Sequence, residues 1–351
     1  MYTKSIYKMH QMVIWTRFET ALFFAIGLVW VSAFYFLDLI WLRIPWTPLA
    51  LIGTAVAFVI GFQNNAAYGR IWEARKIWGG IVNTSRSFGV FLQDMLSNEH
   101  AHQEMSEQEL QAEIKTLTYR HIAWMTALRH AMRVLKPWEI TSSHRTNVEV
   151  GIGPPERESK LEEDLKPYLS DNDFDYIANK DNKQTALLYL QSHHLRALKD
   201  RGIIWEFSFL ELEAEIKELL SHQGKSERIK NFPYPRQFAT LNHYFMWIFV
   251  LLLPLALVPQ FADIGMEFSA TYPVIGNLFV WFSIPFYVTV AWVFHTMERI
   301  GRTGENPFEG TANDVPISTI ARSIEIDLRQ NLGESKDKIP EQFPTVWDIQ
   351  F

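Results

Sequence analysis

There is no cysteine anywhere in the 351 residues. Disulfides, thiol nucleophiles and cysteine-based zinc sites are therefore excluded. Also missing are the strings that carry common enzymatic chemistry: G-x-S-x-G, H-E-x-x-H and the phosphate-binding G-x-x-x-x-G-K-[ST] do not occur. A basic stripe is absent too. The formal net charge is −6, which argues against nucleic acid as a partner. One further absence is local. Residues 54–76, TAVAFVIGFQNNAAYGRIWEARK, pass from apolar to charged with no proline, and only small or amide residues bridge the halves.

Aromatic side chains, by contrast, are plentiful. They make up 14% of the chain, with 25 Phe and 13 Trp, more than a soluble domain needs and suited to membrane-interface belts. Ala21 to Leu37 carries no charge, and apolar character continues to Trp41, about the ~20 residues of a membrane helix. Trp46 to Phe62 forms a second uncharged run. A third block, Phe238 to Phe261, contains Pro254 and Pro259, and a fourth, Phe268 to Phe294, contains Pro285. The pattern predicts four transmembrane helices in two hairpins, the prolines being tolerable where neighbours satisfy the freed carbonyls. The first run is too long for a signal-peptide core and is read as a span.

Basic residues flank one side of every span. Lys4, Lys8 and Arg17 precede the first, and Arg70, Arg75 and Lys76 follow the second. Arg228, Lys230 and Arg236 precede the third, and Arg299 and Arg302 follow the fourth. The short connections hold Arg43 on one side and Asp263 with Glu267 on the other. The positive-inside rule places both termini and the middle block in the cytoplasm of a cell whose inner membrane holds the spans. The expected organisation is an N-terminal segment with hairpin 1 over 1–63, a helical cytosolic region over 64–235, hairpin 2 over 236–297 and a cytosolic C-terminal segment over 298–351.

The middle block reads as helical. Ile71, Trp72, Arg75, Trp78, Ile81 and Val82 recur at helix spacing, as do Leu187, Leu190, His194 and Leu198. VGIGPPERES and LSDNDFDYIANKDNK read as exposed loops by their Gly, Pro, Asn and Asp content. Within the second, Asp171, Asp173 and Asp175 have the first spacings of a calcium loop, but Tyr176 stands at the turn glycine and no glutamate closes the loop. They read as a solvated loop. His193 and His194 are neighbours pointing apart, and His121 and His130 are not one turn apart, so no metal site is expected. Asp38 reads as either a pore-mouth group or a paired boundary residue, and His295 and Glu298 as boundary groups.

Thr54, Phe58 and Phe62 fall at i, i+4 and i+8, one stripe along one helix, with Gly53 and Gly61 keeping the backbone slim. Such a stripe usually means core or lipid contact. Asn64 and Asn65 follow it at the membrane edge, and Trp72, Glu73, Arg75 and Lys76 begin an amphipathic helix.

At these residues the sequence resembles the bestrophin family, in its bacterial branch. The matching strings are GFQNNAAYGRIWEARKIWGGIVNTSRSF (Gly61 to Phe88), ERIKNFPYPRQFATLNHYFMWIFVLLLPLAL (Glu227 to Leu257) and ENPFEGTANDVPISTIARSIEIDLRQNLGE (Glu305 to Glu334). They bracket the same four spans; residues 141–183 fit poorly and read as a longer insertion. The resemblance implies an all-α membrane protein with four transmembrane helices per subunit plus a helical cytosolic region, assembled as a bestrophin-like pentameric channel with itself as partner in the lipid bilayer. It implies that the second span lends Thr54, Phe58 and Phe62 to a hydrophobic neck, Thr54 departing from the usual bulky apolar residue. Asn64 and Asn65 become polar pore-lining candidates. A second, cytosolic constriction falls by the same resemblance on Ile204, with Ile203 as a one-residue slip. Animal members bind calcium through an acidic run after N-P-F; here the run is Glu309, Gly310, Thr311, Ala312, Asn313 and Asp314, so a high-affinity calcium clasp is not expected. No cofactor and no resident metal are implied.

An apolar ring at a narrow neck closes a pore by dewetting. Phenyl edges favour anions and phenyl faces cations, so the ring itself leaves the sign open. Where part of the net charge of −6, multiplied in a pentamer, lines the cytosolic vestibule, cations are enriched there. Among relatives, animal members pass chloride and some bacterial members pass cations. The reading leans to monovalent cations such as sodium over anions, with a chloride channel of the same fold as alternative. A secondary transporter with helix breaks at Pro254 and Pro285 is a rival, and a membrane-anchored enzyme or sensor lacks any nucleophile–base or metal constellation.

Overall fold

The computed structural model describes residues 1–139 and 144–351, so the first three residues of the expected 141–183 insertion lie outside the described residues. The chain is helical nearly throughout. In order, the helices are α1 (Met9–Leu37), α2 (Trp46–Asp94), α3 (Glu107–Arg133), α4 (Arg145–Glu149), α5 (Leu161–Leu165), α6 (Asp171–Ala178), α7 (Lys183–Asp200), α8 (Glu206–Asn231), α9 (Arg236–Ser269), α10 (Pro273–Leu278), α11 (Ser283–Gly304) and α12 (Ile317–Asn331). Extended pairing among the described residues is limited to isolated bridges, one of them Leu96 with Ile204.

Four segments are long and apolar enough to cross a membrane: Met9–Leu37, Trp46–Asp94, Arg236–Ser269 and Pro273–Gly304. The third is longer than its apolar run. It continues through Asp263 and Glu267, which the sequence places in a connection, because no further proline intervenes between Pro259 and Pro273. Pro254 and Pro259 lie inside it. The fourth starts later than Phe268: Pro273 opens α10, a 3-10 turn follows at Phe279–Phe282, and Pro285 sits in the first turn of α11, where its missing donor costs no helical bond.

Two compact units divide the chain. One comprises Lys4–Gly69 and Tyr234–Glu305; the other comprises Met1–Thr3, Arg70–Pro233 and Asn306–Phe351. On α2 the division between the units falls at Gly69, with the helix itself unbroken across it.

The first unit holds the apolar helices. Phe23, Val56, Ile60, Phe249, Leu253 and Tyr287 form its core. Lipid is as apolar as these side chains, so close fit supplies the cohesion, not burial from water. Gly53 makes that concrete: a Cβ there would stand 2.7 Å from the Phe249 ring. Gly61 meets open space within the chain.

The second unit has a water-soluble type of core, in which each fully buried Leu or Ile contributes roughly 1.5–3 kcal/mol. Trp78 and Phe88 of α2, Trp124 and Leu128 of α3, Leu187 and Leu198 of α7 and Leu219 of α8 are buried together with Phe308. Caps fix the helix starts. Ser106 Oγ accepts from Glu109 N while Glu109 accepts from Ser106 N at 2.8 Å, and Asn182 Oδ1 accepts from Thr185 N.

Two segments expected as exposed loops are ordered otherwise. Ser170 caps α6, so Asp171, Asp173 and Asp175 ride a short helix, and Asp173 pairs with Arg120 of α3 at 2.7 Å. The S-x-x-D pattern was the signal for that start. In VGIGPPERES, Glu156 is buried, bonded to Arg129 and, at 2.9 Å, to Ser318 Oγ.

Candidate functional site: the exposed stripe of α2

An α-helix turns 100° per residue, so α2 presents Thr54, Phe58, Phe62 and Asn65 along one line and Val56, Ile60, Gln63 and Ala67 along the opposite one. The structure honours that division. Val56 and Ile60 are core residues and Gln63 is wholly buried, whereas Phe58 is 66% exposed and Phe62 71%. Thr54 and Asn65 are exposed as well. The Thr54 hydroxyl donates to the Ala50 carbonyl at 2.9 Å, so its polarity is spent on its own helix and the methyl group is what it offers outward. The stripe is consequently more apolar than the threonine suggests.

Asn64 does not share the face of Asn65. It is turned toward α11, where a Cβ on Gly301 would meet its amide oxygen, and both its side-chain polar atoms are buried without a hydrogen-bond partner. One helical step of 100° separates it from Asn65.

Ile203 and Ile204 are likewise turned inward within their own unit. Each is only 1% exposed and belongs to the core of the second unit. The Ile203 carbonyl accepts from Ser97 N at 3.0 Å and Ile204 bridges to Leu96, which pins this stretch. The exposed apolar groups at the turn are Trp205 (53%) and Phe207 (63%), their rings 4.7 Å apart.

Behind the stripe lies a polar cluster that the sequence did not single out. Gln63 Nε2 donates to Glu305 Oε1 at 2.6 Å, and Asn242 Nδ2 donates to Gln63 Oε1 at 3.0 Å. Arg236 Nη1 reaches Glu305 Oε2 at 3.3 Å. Burial pushes the Glu305 carboxyl above its ordinary value, against the Gln63 hydrogen bond and the charges of Arg236 and Arg302. Glu298 and His295, expected as boundary groups, are buried: Glu298 pairs with Arg302 at 3.1 Å and His243 at 3.2 Å, and His295 packs on Phe23 and Trp247.

The remaining candidates have structural partners. Asp314 accepts from the backbone N–H groups of Phe308, Gly310 and Val315 and from Arg133 at 3.1 Å, so its oxygens hold a turn. His194 pairs with Glu113, and His193 faces away from it, exposed. His130 meets Asp164. His121 lies between Phe88 and Trp124, its ring tilted to both at 5.3 Å. Asp38 caps α1 in the left-handed region (φ 51°) and lines a cavity with Tyr35 and Asn277. Among the described residues no group of three or more His, Asp or Glu could hold a metal ion.

Comparison with known proteins then fixes the relationship. The family model described as "Bacterial/Fungal Bestrophin protein" matches residues 8–330. The chain belongs to the bacterial and fungal bestrophin family. A protein of Ralstonia nicotianae named voltage-dependent anion channel-forming protein is 27% identical over 317 residues, covering 89% of this chain and 86% of that one. The Escherichia coli K12 protein YneE, of the same name, is 23% identical over 289 residues, covering 82% and 77%. The crystal structure of a bacterial bestrophin homologue from Klebsiella pneumoniae matches at a TM-score of 0.70 and 20% identity, over 91% of this chain and 98% of that one. That likeness establishes a bestrophin fold.

Proposed function

We propose that this bestrophin is a homopentameric channel of the inner membrane, with both termini cytoplasmic, that passes monovalent ions along an axis lined by α2. The observation that carries the reading is the exposure of Phe58 and Phe62 away from their own subunit, on a face whose next turn bears a carboxamide, Asn65. A helix face turned only to lipid has no use for that amide, whereas a face turned to a narrow aqueous axis does. Copies of Thr54, Phe58 and Phe62 around the axis form the neck.

The neck works by dewetting. Rings of phenyl and methyl groups offer water no hydrogen bonds, so a narrow enough tube empties and blocks ions without a plug. A small rotation or outward shift of α2 retracts the rings and lets a water column form. Trp205 or Phe207, not Ile204, supplies any second apolar constriction, because these side chains are available outside the subunit core.

The neck residues and Asn65 are all uncharged, so sign selection falls to charges elsewhere. With −6 per chain, we read the selectivity as favouring monovalent cations such as sodium. A second reading, an anion channel, is favoured by the names of the Ralstonia and Escherichia relatives. Reversal potentials in asymmetric sodium chloride across a planar bilayer decide between them: movement towards the sodium potential supports the first, towards the chloride potential the second. The transporter reading is weakened by α9, which continues through Pro254 and Pro259 with no unwound segment at which a substrate could bind. Unitary current steps support the channel and their absence, with saturable flux, the transporter.

A further inference from the structure

The amide of Gln63 is engaged at both ends. Its nitrogen donates to Glu305, which directly follows α11, and its oxygen accepts from Asn242 of α9. All three side chains are at most 3% exposed. A Cβ on Gly301 would come within 3.3 Å of the Gln63 side chain, so the glycine lets α11 approach this turn of α2. Gln63 follows Phe62 by one residue. Any rotation of α2 that swings Phe62 off the axis carries Gln63 out of reach of one partner or both, and strands polar atoms in a water-poor site.

We propose that Gln63, held between Glu305 and Asn242, is a positioning residue that locks the rotational angle of α2 and so fixes how far Phe58 and Phe62 project into the neck. The proposal rests on the neck reading above and adds its control. The lock reads pH through Glu305. The carboxylate accepts from Gln63 on one oxygen and from Arg236 on the other; protonation removes the charge that holds Arg236 and converts an acceptor into a donor. The groups facing it are Arg236 and Tyr234 at the start of α9 and Arg302 and Glu298 on α11, while α2 contributes the neutral Gln63. Glu298 is itself paired with Arg302 and His243. Acidification therefore loosens the lock and raises opening.

The test uses the purified full-length protein in planar bilayers, with assembly followed by size-exclusion chromatography. Gln63→Leu should raise open probability about five-fold or more while the oligomer elutes unchanged. Gln63→Glu alone sets two carboxylates face to face and should do the same. The exchanged pair Gln63→Glu with Glu305→Gln restores donor to acceptor and should return opening to within about two-fold of the parent. Glu305→Gln keeps an acceptor for Gln63 but cannot titrate, so it should flatten the rise in opening on acidification. Should Gln63→Leu fail to assemble, the Glu305→Gln profile decides alone: a flat profile supports the lock and a parental one overturns it. Parental gating in assembled Gln63→Leu, or no recovery in the exchanged pair, also overturns it. Phe62→Ala separates the two levels. If it raises conductance while Gln63→Leu is silent, only the lock falls; if it changes nothing, the neck reading falls first.

Discussion

Phe62 and Gln63 are adjacent in sequence and opposite in environment: the phenyl ring is 71% exposed and the amide beside it is buried between Asn242 of α9 and Glu305, which follows α11. The outward aromatic and its inward anchor are thus set by a single helical step, and rotation of α2 moves both.

Truncating the outward groups should widen the neck. Phe62→Ala and Phe58→Ala are expected to raise unitary conductance and basal leak. Since neither ring belongs to the subunit's core, thermal stability of the single subunit fold should change little. Single-channel recording paired with a melting curve checks both halves.

Thr54 makes a sharper case. Its hydroxyl is already bonded to the Ala50 carbonyl, so Thr54→Val, which removes the hydroxyl and keeps the shape, should leave conductance close to the parent. Thr54→Phe should lower it by adding a third bulky ring. A large effect of Thr54→Val in unitary currents would show the hydroxyl facing the ions instead.

At the second constriction the two kinds of residue should separate. Ile204→Ala removes buried volume from a packed core and is expected to cost about 2–4 kcal/mol of stability. Phe207→Ala and Trp205→Ala alter exposed rings and should change permeation with a smaller loss of stability. Denaturant titration and bilayer currents on the same preparations distinguish them.

His121 predicts a pH dependence of stability. Burial between Phe88 and Trp124 pushes its imidazole down from 6.5 to about 3. The unfolded state therefore binds more protons between those values, so the contribution of His121 is complete above 6.5 and is lost as pH falls towards about 3. His121→Phe, which cannot titrate, should show a smaller drop in melting temperature between about pH 7.5 and about pH 5.

Much of this was legible in the residues. Uninterrupted apolar runs announce the four crossing segments because a membrane imposes a minimum length, and the 3.6-residue period puts Phe58 and Phe62 on one face. What escaped is what depends on neighbours in space. Gln63, Asn64 and Asn65 are three successive amides, and only the packing of α9 and α11 decides that the first is an anchor, the second faces Gly301 and the third is exposed. The resemblance points to Ile203 and Ile204 for a constriction, yet pairing with Leu96 and Ser97, just after α2, accompanies their burial and leaves Trp205 and Phe207 outside. Glu156 sits in a loop-like string whose Gly and Pro content hides a buried partner for Arg129. Ser170, by contrast, did carry a capping signal for the α6 helix, which the acidic spacing after it obscured.

The absence of cysteine supplies the most direct test, since a single introduced thiol will be the only one. Phe62→Cys, reconstituted in a bilayer and exposed to a charged, water-soluble methanethiosulfonate reagent, should lose most of its current as copies of the thiol around the axis are modified. Ile60→Cys, on the buried face, should be unaffected. Block at Ile60→Cys with Phe62→Cys indifferent would turn α2 the other way round and contradict the account.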